Sequence, residues 1–328
     1  RGLGDVYKRQ GTDHHLAGIG AMAELTPAHL KGQPGYEGYL NERSLSIAEV
    51  LRDHGYRTYI SGKWHLGLTP ESNAHVKGFD RSFTLLQGLD LHFKDAPAAF
   101  KRTATYTEDG KIISIADLPD DFFSTNYFTD KLLEYLESGK NSGKPFFAYA
   151  AYTALHWPIQ APEAYSNKYK GVYDAGYGVI RENRIKRQKQ LGIIPPDFQS
   201  ATPLATDKLG YGQWTELSPE QRAIEARKME VYAGMVENLD ANIGKIIQYL
   251  KANRLYDNTL IFFVSDNGAE GTIRGVSDPS FDASLNAVGT AQSYHYIGPR
   301  WAEVSAAPFH LWKETAGEGA TIAPAIIK

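Results

Sequence analysis

The sequence predicts an α/β fold in which helices flank a mostly parallel sheet, and two features of the chain predict it. The first is a rhythm of helical face, short break and apolar strand that recurs three times, which favours βαβ units over an all-β or all-α fold. The second is that these strands read as continuous apolar runs, the pattern of strands covered on both faces. All three runs then end in polar residues suited to handling ions. Ligands of an open parallel sheet bind in the crevice outside the carboxyl ends of its strands, so the three ends are expected to meet in one place.

The elements follow in order. Ser44 is expected to cap a helix carrying Leu45, Ala48, Val50 and Leu51, with Gly55 as its stop. Tyr56–Ser61 comes next as a strand and runs into Gly62-Lys63-Trp64-His65-Leu66-Gly67. Phe128, Leu132, Leu133 and Leu136 share one helical face, and Gly139 and Gly143 precede the strand Phe146–Tyr152. That strand runs into Ala154-Leu155-His156-Trp157-Pro158. Pro219 opens a long helix reading from Ile224 through Met229, Met235 and Ile243 to Leu250. Leu260–Val264 follows and runs into Ser265-Asp266-Asn267-Gly268. From Pro158 to Leu217 there is no clear period, and Arg181 to Lys189 holds five basic residues and one acid. This stretch reads as a solvated excursion, with a lid over the site as the alternative.

Composition sets the outer limits. A chain of 328 residues suffices for one large α/β domain or two smaller ones. A net charge of -3 carries no sign of general nucleic-acid binding. No stretch approaches the ~18 apolar residues of a membrane-spanning helix. Cysteine is absent, so disulfides, thiolate metal sites and a cysteine nucleophile are excluded for the sequence as it stands. The first residue is Arg1 and no charged-then-apolar leader pattern follows, which leaves the compartment open.

Each strand end has a chemical reading and a plainer one. Lys63 and His65 are two apart, so an extended tip would send both side chains from one face, a point charge beside a group that can relay a proton. A Lys-x-His pair also arises by chance. Asp266 and Asn267 offer hard oxygen ligands suited to Ca²⁺ or Mg²⁺, although Asn-Gly is equally an ordinary turn signal. His156 stands before Trp157-Pro158 in a segment that Pro158 forces to extend or turn, where an isolated histidine is often only packed. His14, His15, His54, His75 and His92 lack such context and are assigned to structure.

These stretches together resemble the type I sulfatases, and among them the bacterial arylsulfatases. The resemblance is carried by Gly11-Thr12-Asp13-His14-His15-Leu16-Ala17-Gly18-Ile19-Gly20, Ser61–Gly67, Ala154–Pro162 and Val264–Gly271. Near the end it is carried by Gly298-Pro299-Arg300-Trp301-Ala302 and Pro308–Lys313. It implies an alkaline-phosphatase-like sandwich with a large, mostly parallel central sheet flanked by helices, truncated at both ends. It implies further that Asp266 and Asn267 ligate a divalent cation, Ca²⁺ with Mg²⁺ possible. By the same resemblance Lys63 and Lys313 hold sulfate oxygens, with Lys63 also near the nucleophile. His65 then stands beside that nucleophile and helps break down the sulfated intermediate, and His156 lies near the leaving-group oxygen. The expected substrate is a small-molecule sulfate ester, with neither nucleic acid nor a membrane span involved.

The departures are equally specific. The nucleophile of this family is a formylglycine, made by a formylglycine-generating enzyme from a Cys or Ser in a Cys/Ser-x-Pro/Ala-x-Arg motif, and no such motif occurs here. Its place falls in or before residues 1–10, which do not resemble the family and read as a non-native scar, leaving 11–328 as a partial sulfatase α/β domain. The first strand, with its paired aspartates, and the C-terminal subdomain are expected to be missing. Gly317 also precedes Glu318-Gly319-Ala320 where relatives often carry a histidine. Two alternatives accompany the sulfuric ester hydrolase reading: a phosphomonoester or phosphonate hydrolase of the same superfamily, and an inactive binder of sulfated ligands.

Overall fold

The computed structural model describes residues 12–272 and 278–328, so the expected scar at 1–10 lies outside the described residues. The central sheet has five strands in the order β4-β3-β2-β1-β5. Strand β1 (Arg57–Lys63) lies parallel to both β2 (Arg81–Leu85) and β5 (Phe146–Ala151). Beyond β2 the sheet continues antiparallel through β3 (Tyr106–Glu108) and β4 (Lys111–Ile113), so it is mixed, with its parallel pairs around β1. Asp109 and Gly110 close the β3–β4 hairpin at φ 47 and 85°, the two positive values that a tight two-residue turn requires.

Strand β1 is buried on both faces, as its apolar run predicts. Ile60 packs with Leu40, Trp64, Leu66 and Phe79 on one side. Its neighbour Tyr59 packs with Phe83, Tyr106, Phe128, Leu132 and Tyr135 on the other. This is the alternation that a pleated strand imposes.

The last predicted strand behaves otherwise. β6 (Phe262–Val264) is outside the central sheet and pairs antiparallel with β7 (Ala325–Ile327). Leu260 is 78% exposed and Phe262 58%, so the expectation of a buried strand beside Asp266 is corrected. The apolar composition suits a covered strand, but β7 supplies only an edge partner among the described residues and covers no face.

Five helices of seven residues or more stand out among the described residues, alongside several single turns. α1 (Ile47–Asp53) begins two residues later than predicted, because Ser46 and not Ser44 builds the cap. The Glu49 N–H donates to Ser46 Oγ at 3.0 Å, and the Ser46 N–H donates to Glu49 Oε2 at 2.7 Å, a reciprocal capping box. α2 (Ser124–Gly139) covers β1 and β5. α3 (Gly176–Gln190) replaces the aperiodic excursion expected there, and its helical span is a second correction. Its start is anchored by Tyr177, which is buried against Trp214 and Trp301, and the rest by polar bonds: Arg181 donates to the Ala201 carbonyl, Arg184 Nη2 to Ser305 O at 3.1 Å, and Gln188 Nε2 to Ala307 O at 3.1 Å. α4 (Pro219–Ala252) matches its predicted start and carries a Ser218/Gln221 capping box. α5 (Gly298–Ala306) packs Trp301 and Val304 against Met229, Val231 and Met235 of α4.

Candidate active site

The carboxyl end of β1 is pressed against that of β5. Gly62 pairs with Ala151 at φ 128°, and a Cβ there would fall inside the Ala151 carbonyl group. Only glycine permits that approach, and it brings Lys63 alongside the loop that follows β5. Trp64, fully buried, anchors the tip by donating its indole N–H to Ser72 O at 2.8 Å. His65 then departs from the extended geometry predicted for it. Its φ is 55°, in the left-handed region, so the two-residue spacing does not put it on the face of Lys63. Its N–H donates to Leu86 O at 3.1 Å, and its Nε2 lies 3.4 Å from Glu24 Oε1.

His156 sits in the loop after β5. Its N–H donates to Thr153 O at 2.9 Å, and its Nδ1 lies 2.9 Å from Trp157 O. A carbonyl accepts only, so Nδ1 carries the proton and Nε2 is left with its lone pair. The loop is hung on two buried side chains. His92 Nε2 donates to His156 O at 3.2 Å while its Nδ1 meets Ser124 Oγ at 2.8 Å. Gln160 accepts the His92 N–H at 2.8 Å and donates to Thr290 O and Ser293 O at 3.1 and 3.0 Å. Burial pulls the His92 imidazole down to about 4, so it is neutral and acts as a strut, in line with its structural assignment.

The electrostatics of His156 report what the site brings together. Its pKa is driven well below the usual histidine value, first by burial, then by the nearby charges of Lys313 and Lys63, with the Trp157 carbonyl opposing. The charges of two lysines from separate parts of the sequence therefore both act on His156.

Lys313 is carried by a loop bound to the one after β6. The Lys313 N–H donates to Ala269 O at 2.8 Å, and its Nζ stands 3.5 Å from Glu270 Oε2. The Gly268 N–H donates to Ala320 O at 2.9 Å, and a Cβ on Gly268 would overlap the Gly319 carbonyl. At Gly317 a Cβ would lie 2.7 Å from both His310 O and Leu311 Cβ, so the backbone here leaves no room for a larger side chain.

Asp266 and Asn267 lie in the same loop. The Asp266 side chain is exposed, and Asn267 Nδ2 donates to Gly268 O at 2.9 Å, which leaves the amide oxygen outside that bond. In kind, a carboxylate and an amide oxygen fit Ca²⁺ or Mg²⁺; in number they are two where Ca²⁺ takes ~6–8. Among the described residues, the His/Asp/Glu trio close enough to share an ion is Asp13, His14 and His15, which does not include Asp266.

Four residues of the site escaped the sequence reading: Glu24, Gly88, Gln160 and Glu270. The last two fall inside stretches that carry the family resemblance, yet nothing in their spacing marked them. Glu24 and Gly88 reach His65 only through the tertiary fold.

With this geometry in hand, comparison with known proteins is informative. The sulfatase family profile matches residues 13–327. An uncharacterized sulfatase of Schizosaccharomyces pombe is 44% identical over 335 residues, covering 97% of this chain and 60% of its own length. An arylsulfatase of Klebsiella aerogenes is 37% identical over 320 residues, covering 94% of this chain and 66% of its own. The chain thus spans roughly two thirds or less of the length of these relatives. Among solved structures, Ps i-CgsB in complex with k-i-k-neocarrahexaose superposes with a TM-score of 0.61 at 19% identity, covering 100% of this chain and 55% of that one. At that identity the likeness speaks for the fold.

Proposed function

The chain belongs to the sulfatase family, and from that premise we propose that the protein hydrolyses sulfate monoesters of aryl or similarly small alcohols. The attacking group in this reading is a formylglycine made by a formylglycine-generating enzyme from a motif upstream of Gly11. The observation that carries it is that the charges of Lys313 and Lys63 are, after burial, the largest influences holding His156 below its usual value, with His92 adding a smaller one.

The chemistry follows from those charges. The sulfate group of a monoester binds between the two lysines, which stabilise the negative charge that grows on its oxygens as the ester bond breaks. In the free site His156 is neutral, with Nδ1–H tied to Trp157 O and Nε2 bare. An arriving anion offsets the repulsion from Lys63 and Lys313, so His156 takes a proton on Nε2 as substrate binds. It then gives that proton to the departing ester oxygen. His65 serves the later step, removing a proton from the covalent intermediate. Asp266 and Asn267 would hold Ca²⁺, or Mg²⁺ in its place, and the cation when bound supplies Lewis-acid charge neutralisation at the sulfate.

The test is turnover with and without the nucleophile. Residues 1–328 alone should leave an aryl sulfate at background, since losing a covalent nucleophile costs up to ~10⁶-fold. Joining the native upstream segment should restore hydrolysis, with sulfate esters preferred over matched phosphates. Chelator-sensitive turnover by the 328-residue chain overturns the nucleophile assignment, and phosphate preference in the joined protein overturns the substrate class.

A further inference from the structure

Glu24 lies in a single 3-10 turn (Ala23–Leu25), far in sequence from β1, and its position against His65 is built by packing. Met22, which precedes the turn, is buried in the same cluster as Trp64 and Leu66, the two neighbours of His65. The backbone adds direct ties: the Leu40 N–H donates to Leu66 O at 2.9 Å and the Asn41 N–H to Ala17 O at 3.0 Å. The turn and the β1 tip are thereby held as one unit.

The ring of His65 is enclosed from the other side by Gly88. A Cβ at that position would lie 2.7 Å from His65 Nδ1 and 2.8 Å from Nε2, so any larger residue would displace the imidazole. With Gly88 facing the ring, two orientations related by a half-turn about Cβ–Cγ fill the same space. That half-turn exchanges Nε2 for Cε1 at the Glu24 carboxylate, and only Nε2 can donate a hydrogen bond. Glu24 Oε1 stands 3.4 Å from Nε2, and the carboxyl group is held below the usual carboxylate range chiefly by its interaction with His65, against burial and with help from Lys63.

We propose that Glu24 is the positioning residue of His65: its carboxylate accepts the Nε2–H, selects one ring orientation and tautomer, and leaves the Nδ1 lone pair as the base. The role rests on the sulfatase reading above, in which His65 removes a proton from the covalent intermediate. On that step the proton goes to Nδ1, and the imidazolium so formed keeps its Nε2–H on Glu24, whose negative charge stabilises it. The proton later leaves from Nδ1 to water, restoring the starting pair.

Two measurements on the 328-residue chain test the assignment without substrate. In long-range ¹H–¹⁵N spectra of histidine-labelled protein, neutral His65 should carry its proton on Nε2. Glu24→Ala should convert this to a mixture of tautomers, while Glu24→Gln, whose amide oxygen still accepts, should largely keep it. Carboxyl-detected titration should show the Glu24 midpoint moving upward, toward the ordinary range, in His65→Ala. Dominance of the Nδ1–H tautomer, or a Glu24 midpoint indifferent to His65→Ala, overturns the proposal. If Glu24→Ala does not fold, the unmutated spectrum and the His65→Ala titration decide. Because neither readout involves sulfate-ester turnover, failure here removes the pair and leaves the sulfatase reading standing, and the reverse also holds.

Discussion

Strands β1 and β6 begin from similar sequence and end in opposite circumstances. Both carry apolar residues, Tyr59 and Ile60 in β1 and Phe262–Val264 in β6, and both lead into a polar loop that carries candidate site residues. β1 is paired on both edges and buried on both faces, whereas among the described residues β6 has one antiparallel partner and leaves Phe262 58% exposed. The site divides along the same line. Lys63, His65 and His156 are braced by buried or enclosed neighbours such as Trp64, His92 and Gln160, while Asp266 is open to solvent. Lys313 belongs to both halves, tied by its backbone to the β6 loop and by its charge to His156. An apolar run therefore states what a strand is fit to pack against; whether the chain supplies that partner is a separate fact.

The sharpest way to break this contrast is by truncation on each side. Trp64→Ala removes a fully buried side chain and its hydrogen bond to Ser72 O, and should cost ~3–5 kcal/mol of unfolding free energy. Phe262→Ala, on the exposed strand, should stay within ~0.5 kcal/mol of the parent. Urea denaturation of both variants measures the pair. Comparable losses would mean that β6 is covered in solution and that the two strands are not different in kind.

Lys313 sharpens the contrast because it bridges the halves. In the protein carrying the upstream nucleophile, Lys313→Ala should lower kcat/KM for an aryl sulfate by ~10²–10³-fold, the loss typical of one well-placed charge donor. Its Nζ is shared with Glu270, so some of its field is spent inside the protein. A loss below tenfold would remove Lys313 from the sulfate site and leave it a structural tie between loops.

How much of this was legible depended on which force holds each part. β1, α2 and α4 follow from apolar periodicity because apolar packing is what fixes them. The β2, β3 and β4 strands are not legible in the sequence, being only three to five residues long and so lacking any long apolar run. α3 was missed for a different reason: Arg181, Arg184 and Gln188 dock it on backbone carbonyls, and such bonds leave no apolar stripe in the sequence. At the site, Lys63 and His156 are legible as polar ends of neighbouring strands, whereas Lys313 is legible only through the family resemblance. Glu24 was not, since contact with His65 is made by a turn forty residues upstream in the fold's packing and not by spacing; nor was the left-handed turn at His65, which no residue-pair pattern announces.

The effect expected to be smallest for a single residue is a dependence of stability on pH to which each buried histidine contributes. His92 and His295 are held down to about 4, the first mainly by burial and the second by burial together with Lys228. His156 is also held well below its ordinary value by burial, Lys313 and Lys63. In the unfolded chain each of these imidazoles takes a proton near 6.5. Between that value and the folded one, the unfolded state binds more protons, so stability rises with pH and is lost as pH falls. Each histidine should contribute a slope of about 1.4 kcal/mol per pH unit, beginning near 6.5 and fading once the folded ring also titrates. Unfolding free energies at pH 7, 6 and 5 should therefore decline, and the decline should be shallower in both His92→Gln and His156→Gln. Inorganic sulfate should flatten the His156 share specifically, because an anion between Lys63 and Lys313 lets that ring keep its proton in the folded state. A sulfate effect that persists unchanged in His156→Gln would separate His156 from the two lysines and dissolve the site on which the contrast between the halves depends.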